Sequence, residues 1–113
     1  MHWRSIALAA LLPLAFVVQA ASPAMPAEPA SAQRVDIRNF QFQPQRIVVP
    51  AGATVTWTNH DEEPHVVTSA GDGFKSSPAL DTGDRYSAVF ARPGTYTYYC
   101  SIHPQMTGTI VVR

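Results

Sequence analysis

Gly94-Thr95-Tyr96-Thr97-Tyr98-Tyr99-Cys100-Ser101-Ile102-His103-Pro104-Gln105-Met106 is the stretch on which the reading of this 113-residue chain turns. Its first half alternates threonine with tyrosine. Successive side chains on a strand point to opposite faces, so Tyr96, Tyr98 and Cys100 share one face. The bulky rings belong in a core, and Cys100 then points inward at the strand's end.

The same period recurs upstream. Val35-Asp36-Ile37-Arg38 alternates, and Arg46-Ile47-Val48-Val49 is a β-branched run. Thr54-Val55-Thr56-Trp57-Thr58 sets Val55 and Trp57 on one face, and Arg85 to Phe90 does the same for Tyr86, Ala88 and Phe90. His65 to Ser69 and Thr107 to Val112 are further strand candidates, while Ser69 to Leu80 has no clear period. Between these runs lie turn signals. Pro50-Ala51-Gly52 fits a type I turn with proline second and glycine fourth, and Pro93-Gly94 fits a type II turn. Apolar residues nowhere recur at helical spacing over a dozen positions. The pattern predicts an all-β domain, an antiparallel β-sandwich or barrel. A parallel sheet is not expected, because there is no room for crossover helices.

The chain's first residues have another character. Met1-His2-Trp3-Arg4 supplies a positive start, Ile6 to Val18 is almost wholly apolar, and Val18-Gln19-Ala20 offers a cleavage site. This is the layout of a secretory signal peptide over residues 1–20. The apolar run is short for a membrane span, so no span is expected in the mature form. A lipid-anchored form needs a cysteine after the cleavage site, and the single cysteine is Cys100. Residues 21–33 are rich in Ala, Pro and Ser and read as a disordered linker, leaving residues 34–113 as one domain. A secreted domain of about 80 residues often needs a staple. One cysteine allows no internal disulfide, so a metal is the cross-link left.

Charge excludes more than it suggests. Lys and Arg number eight with Arg4, against eight Asp and Glu, so the mature part is near neutral. There is no basic stripe for nucleic acid. The acidic run Asp61-Glu62-Glu63 reads as a solvated loop, with a docking rim for a basic partner as the alternative. No Ser-His-Asp order, glycine-rich phosphate loop or paired carboxylates point to an enzyme.

Cys100, His103 and Met106 lie close in sequence, and His65 stands upstream in Pro64-His65-Val66-Val67. Cys100 ends one strand and Met106 starts the next, so the reversing loop lets these residues and His103 converge. His65 must join from another strand end at the same pole. A thiolate, imidazoles and a thioether together are the ligand set of a mononuclear electron-transfer copper site. Zinc could take Cys100, His65 and His103, but the Met106 thioether has little to offer it. His60, on a turn, is left out of the set, and His2 leaves with the signal peptide.

These residues resemble those of the small blue-copper proteins, the cupredoxins, and the short Cys-x2-His-x2-Met loop is most similar to that of the amicyanins. The likeness extends over Thr54-Val55-Thr56-Trp57, Pro64-His65, Gly94-Thr95-Tyr96, Tyr98, Gly108 and the β-branched last strand. It implies a Greek-key β-sandwich with one type I copper per chain. It implies His65, Cys100 and His103 as near-trigonal ligands, Met106 as a weak axial ligand, and the His103 ring edge as the electron exit. Ile102, Pro104 and Pro64 would supply part of an apolar docking patch for transient redox partners. Two positions depart from the pattern. Val66 stands where an asparagine usually follows the first histidine and helps lock neighbouring loops, though the Val66 backbone N–H can still donate to Cys100. Gln105 stands where amicyanins carry phenylalanine.

The expected function is that of a monomeric periplasmic carrier moving one electron through copper, without catalysis. The alternative is a periplasmic protein that buffers or delivers copper.

Overall fold

The computed structural model describes residues 2, 5, 7, 9–18 and 32–113. The expected cleavage site at Gln19-Ala20 and the linker from Ala21 to Ser31 lie outside the described residues. Eight strands follow: β1 (Ala32–Arg38), β2 (Gln41–Gln43), β3 (Arg46–Val49), β4 (Ala53–Asn59), β5 (Thr68–Ser69), β6 (Arg85–Phe90), β7 (Gly94–Cys100) and β8 (His103–Val112). β1 takes in Ala32 and Gln33, which the sequence reading assigned to the linker, because Ala32 is already in register with Thr54 of β4.

The strands form two four-stranded sheets, ordered β2-β1-β4-β6 and β3-β8-β7-β5. The chain passes repeatedly from one sheet to the other, which makes a Greek-key sandwich. The sandwich is not wholly antiparallel, which corrects the sequence expectation. β1 runs parallel to β4, and β3 runs parallel to β8. Parallel neighbours need a crossover, and helices are its usual form. Here the return from β2 to β4 is made by β3, a strand of the facing sheet.

β4 shows why the layers form. Ala53, Val55, Trp57 and Asn59 point inward and are buried, while Thr54, Thr56 and Thr58 are half-buried on the other face. Phe74 stacks on Trp57 at a centroid distance of 5.8 Å, and Tyr98 meets it edge-on at 5.4 Å. Phe42 packs on Tyr98 at 4.7 Å. Val35, Ile37, Val55, Val67 and Ile110 complete the interior. Each large apolar side chain so buried contributes about 1.5–3 kcal/mol relative to exposure.

Two local expectations are corrected. The turn before β4 closes from Ala53 N to the Pro50 carbonyl at 3.1 Å, and Gly52 has φ of +89°. Glycine is therefore third in the turn, as in type II, because that position needs positive φ. The candidate strand from His65 shrinks to Thr68–Ser69, and His65 instead makes an isolated bridge with Leu80.

Candidate metal centre

The site lies at one pole of the sandwich, where β7 turns into β8. The turn is only Ser101-Ile102, because Cys100 already pairs with His103 across a β-bulge at Tyr99/Cys100. His103 is thus the first residue of β8 rather than a loop residue, and the strand starts earlier than the expected Thr107. Met106 lies further along β8, buried, beside the depression that His103 and Phe40 also line.

His65 reaches the same pole from the loop after β4. It is fully buried. Its backbone N–H donates to the Leu80 carbonyl at 3.1 Å, and Leu80 N–H donates back at 2.7 Å. The loop is wound around a second buried group, Asn59. The Asn59 amide donates to the carbonyls of Glu63 (2.9 Å) and Leu80 (2.8 Å), and its Oδ1 accepts from Asp61 N–H at 2.9 Å. Val67 is latched to Ser77, whose Oγ accepts the Val67 N–H at 2.8 Å.

These supports bring three donor atoms together. Cys100 Sγ lies 3.9 Å from His65 Nδ1 and 3.7 Å from His103 Nδ1. The ligand atoms of His65, Cys100 and His103 all fall within 4.8 Å of one another. A sulfur and a nitrogen bound to one first-row ion at about 2.3 and 2.0–2.1 Å sit about 3.6–3.8 Å apart. The residues therefore fit a metal ion. The Val66 backbone N–H donates to Cys100 Sγ at 3.3 Å, which draws electron density from the sulfur. Valine at 66 leaves that bond intact, and in this chain the Asn59 amide ties the loop that carries His65.

Asp61 does not behave as the solvated loop residue expected of the acidic run. Its side chain is only 12% exposed and turns inward, while Glu62 and Glu63 are exposed. Asp61 Oδ2 lies 2.8 Å from His65 Nε2. Burial pushes the Asp61 carboxyl up, but the amides of Phe40 and Asn39, together with His65, outweigh it and hold the group below its ordinary range. His60 lies elsewhere, its Nε2 2.7 Å from Asp36 Oδ1.

Phe40 was not singled out in the sequence. It stands at the tip of the β1–β2 hairpin, 42% exposed. Its ring meets His65 edge-on at 5.2 Å and His103 at 4.9 Å. Nothing local in the sequence signals this contact. Asn59 did carry a signal, since the parity of β4 points it inward and a buried amide must find partners.

Around His103, itself half-buried, Pro104 and Gln105 are exposed, and Ile102 is 51% exposed. Among the described residues no helix is long and apolar enough to cross a membrane.

Comparison with known proteins agrees with this geometry. Residues 6–112 match the cupredoxin-like domain family. Amicyanin-alpha of Methylorubrum extorquens is 38% identical over 111 residues, spanning 95% of this chain and 93% of that protein. Amicyanin of Paracoccus denitrificans is 35% identical over 83 residues, 70% of this chain and 63% of that one. A purple cupredoxin from Nitrosopumilus maritimus superposes with a TM-score of 0.68 at 37% identity, covering 72% of this chain and 99% of that chain. The Cu(I) form of an amicyanin variant superposes with a TM-score of 0.70 at 32% identity, covering 76% and 86%. With its two-sheet sandwich, its polar-end cluster of thiol and imidazoles, and these likenesses, the chain belongs to the cupredoxin-like family.

Proposed function

We propose that this protein is a periplasmic one-electron carrier that holds a single type I copper ion through His65 Nδ1, Cys100 Sγ, His103 Nδ1 and the Met106 thioether. The observation that carries the reading is the buried Cys100 sulfur set between two imidazole Nδ1 atoms, at 3.9 and 3.7 Å. Copper supplies the redox chemistry, moving between Cu(II) and Cu(I) as one electron arrives or leaves. The thiolate and thioether favour copper over zinc. The chain's own task is to hold the donors still. The Leu80 bridge fixes the backbone of His65, and the β7–β8 ladder fixes Cys100 and His103. Burial of His65, Cys100 and Met106 keeps water from the sulfur ligands.

His103 is the ligand nearest to solvent, so it is the electron's way in and out. Exposed Phe40, Ile102 and Pro104 border it and make a weakly polar face for a transient redox partner. The apolar leader with its basic start supports export to the periplasm. The chain works as a monomer and catalyses no reaction of its own.

The test is the visible spectrum of the protein loaded with Cu(II), before and after ascorbate. Intense red-region absorption that bleaches on reduction and returns on oxidation is the expected result. A colourless protein that still binds copper overturns the carrier reading in favour of copper buffering or delivery.

A further inference from the structure

The Asp61 carboxylate joins parts of the molecule that share no strand. Asp61 Oδ1 accepts from Asn39 N–H at 2.7 Å. Asp61 Oδ2 accepts from Phe40 N–H at 2.9 Å and faces His65 Nε2 at 2.8 Å. An ionised carboxylate only accepts, so His65 Nε2 must carry the ring proton. The Nδ1 lone pair is then free on the side facing Cys100 Sγ.

The turn that Asp61 grips is an unusual one. Asn39 and Phe40 have φ of 53° and 58°, both positive. Two central residues in that region mark a type I′ hairpin turn, in which glycine is strongly favoured at the second. A phenylalanine there is strained, because its Cβ crowds the following carbonyl oxygen. Residues held in sparsely populated conformations point to a use for the side chain. The ring so placed is the one that meets both His65 and His103 edge-on.

We propose that Asp61 is a positioning residue for the metal centre: it fixes the tautomer of His65 and, through the Asn39-Phe40 turn, clamps the Phe40 ring against both histidine ligands. The proposal rests on the copper reading above for its effect on the metal. Its structural half holds for the metal-free chain as well. A carboxylate on the far side of an imidazole raises that ligand's basicity and orients its ring. Negative charge and a more basic ligand both favour Cu(II) over Cu(I), so Asp61 lowers the reduction potential. Loss of such an outer partner costs about 10–100-fold in metal affinity.

The experiment compares the wild type with Asp61→Asn and Phe40→Ala at one fixed pH. In the metal-free wild type, ¹⁵N spectra of the imidazoles should show His65 protonated at Nε2 with a slowly exchanging proton. Asp61→Asn should exchange that proton faster, raise the reduction potential and weaken Cu(II) binding by about 10–100-fold. Phe40→Ala should leave the tautomer in place and still change the Cu(II) EPR spectrum, because the clamp on both rings is gone. His65 protonated at Nδ1 in the metal-free wild type overturns the proposal without use of metal or variant. A folded Asp61→Asn with unchanged potential, affinity and His65 exchange also overturns it, while the copper reading stands. A wild type that takes up no copper as a blue site overturns the copper reading alone, because the imidazole spectra still decide the role of Asp61.

Discussion

Tyr98 lies across Gly108, its cross-strand neighbour on β8, so closely that a Cβ at position 108 would sit 2.2 Å from the Tyr98 Cζ. Tyr98 is itself locked between Phe42 and Trp57 and has nowhere to move. Gly108→Ala should therefore overpack the core and cost about 1–3 kcal/mol. Urea unfolding of the metal-free protein measures this, and an unchanged midpoint would show that Tyr98 can swing aside.

The Tyr98 hydroxyl is buried and has no hydrogen-bond partner. Burial pushes its pKa up to about 12; nearby Trp57 pulls slightly the other way, although its Nε1 makes no hydrogen bond of normal geometry either. An unfolded tyrosine loses its proton near pH 10. The folded chain therefore binds the extra proton between these values. The stability this group contributes is complete below about pH 10 and is lost as the pH rises towards the folded value. Tyr98→Phe should remove that part of the alkaline slope, and at pH 7 should be neutral or stabilising by up to about 1 kcal/mol. Denaturation midpoints of both proteins at pH 7 and pH 11 provide the check.

Asn59 ties the loop that carries His65. Asn59→Ala leaves the Glu63 carbonyl and the Asp61 amide without their partner, while the Leu80 carbonyl keeps only the His65 N–H. Each buried orphan costs about 1–3 kcal/mol, so a loss of roughly 3 kcal/mol is expected. Thermal unfolding without metal reads it, and a loss under about 0.5 kcal/mol, the scale of an ordinary surface substitution, would mean that water or a shifted loop replaces the amide.

Two variants test the proposed roles of the sulfur atoms. Cys100→Ser should abolish the red absorption, because the colour arises from thiolate-to-copper charge transfer. Met106→Gln should keep copper bound and move the reduction potential, since the axial ligand tunes it. Spectroscopy and protein-film voltammetry are the measurements. A blue Cys100→Ser protein would place the thiolate elsewhere, and a constant potential in Met106→Gln would reduce Met106 to packing.

Ile102 is the exposed apolar residue beside His103. Ile102→Glu places a like charge on two copies meeting at that face, a costly juxtaposition. Electron self-exchange between oxidised and reduced protein should slow by about tenfold, equivalent to about 1.4 kcal/mol. The rate is measured by NMR line broadening. An unchanged rate would mean that electrons leave by another part of the surface.

What could be read from the sequence was whatever is local. β4 announced itself through Val55 and Trp57, and β7 through Tyr96, Tyr98 and Cys100, because alternation is a property of adjacent residues. The short spacing of Cys100 and His103 made their closeness legible for the same reason. The parallel pairing of β1 with β4 was not legible, since register between segments some twenty residues apart is set by the whole sandwich. Asp61 was misjudged for a related reason. Its neighbours Glu62 and Glu63 are solvated, and nothing in the acidic run shows that the Asn39-Phe40 amides come from another hairpin to meet one of its members. Phe40 escaped notice because aromatic residues are rare at the tip of a tight turn.

β8 stands second in its sheet, between β3 and β7. It follows every other described strand in sequence, so β3 has no neighbour in that sheet until residues 109–112 are available to pair with it. A growing chain can assemble parts of the first sheet early, but the second stays open until β8 has been made. Cys100 and His103, which pair across the β7–β8 turn, wait for the same moment. The topology thus delays compaction of the second sheet, and it makes the pole that carries Cys100 and His103 the last region to mature.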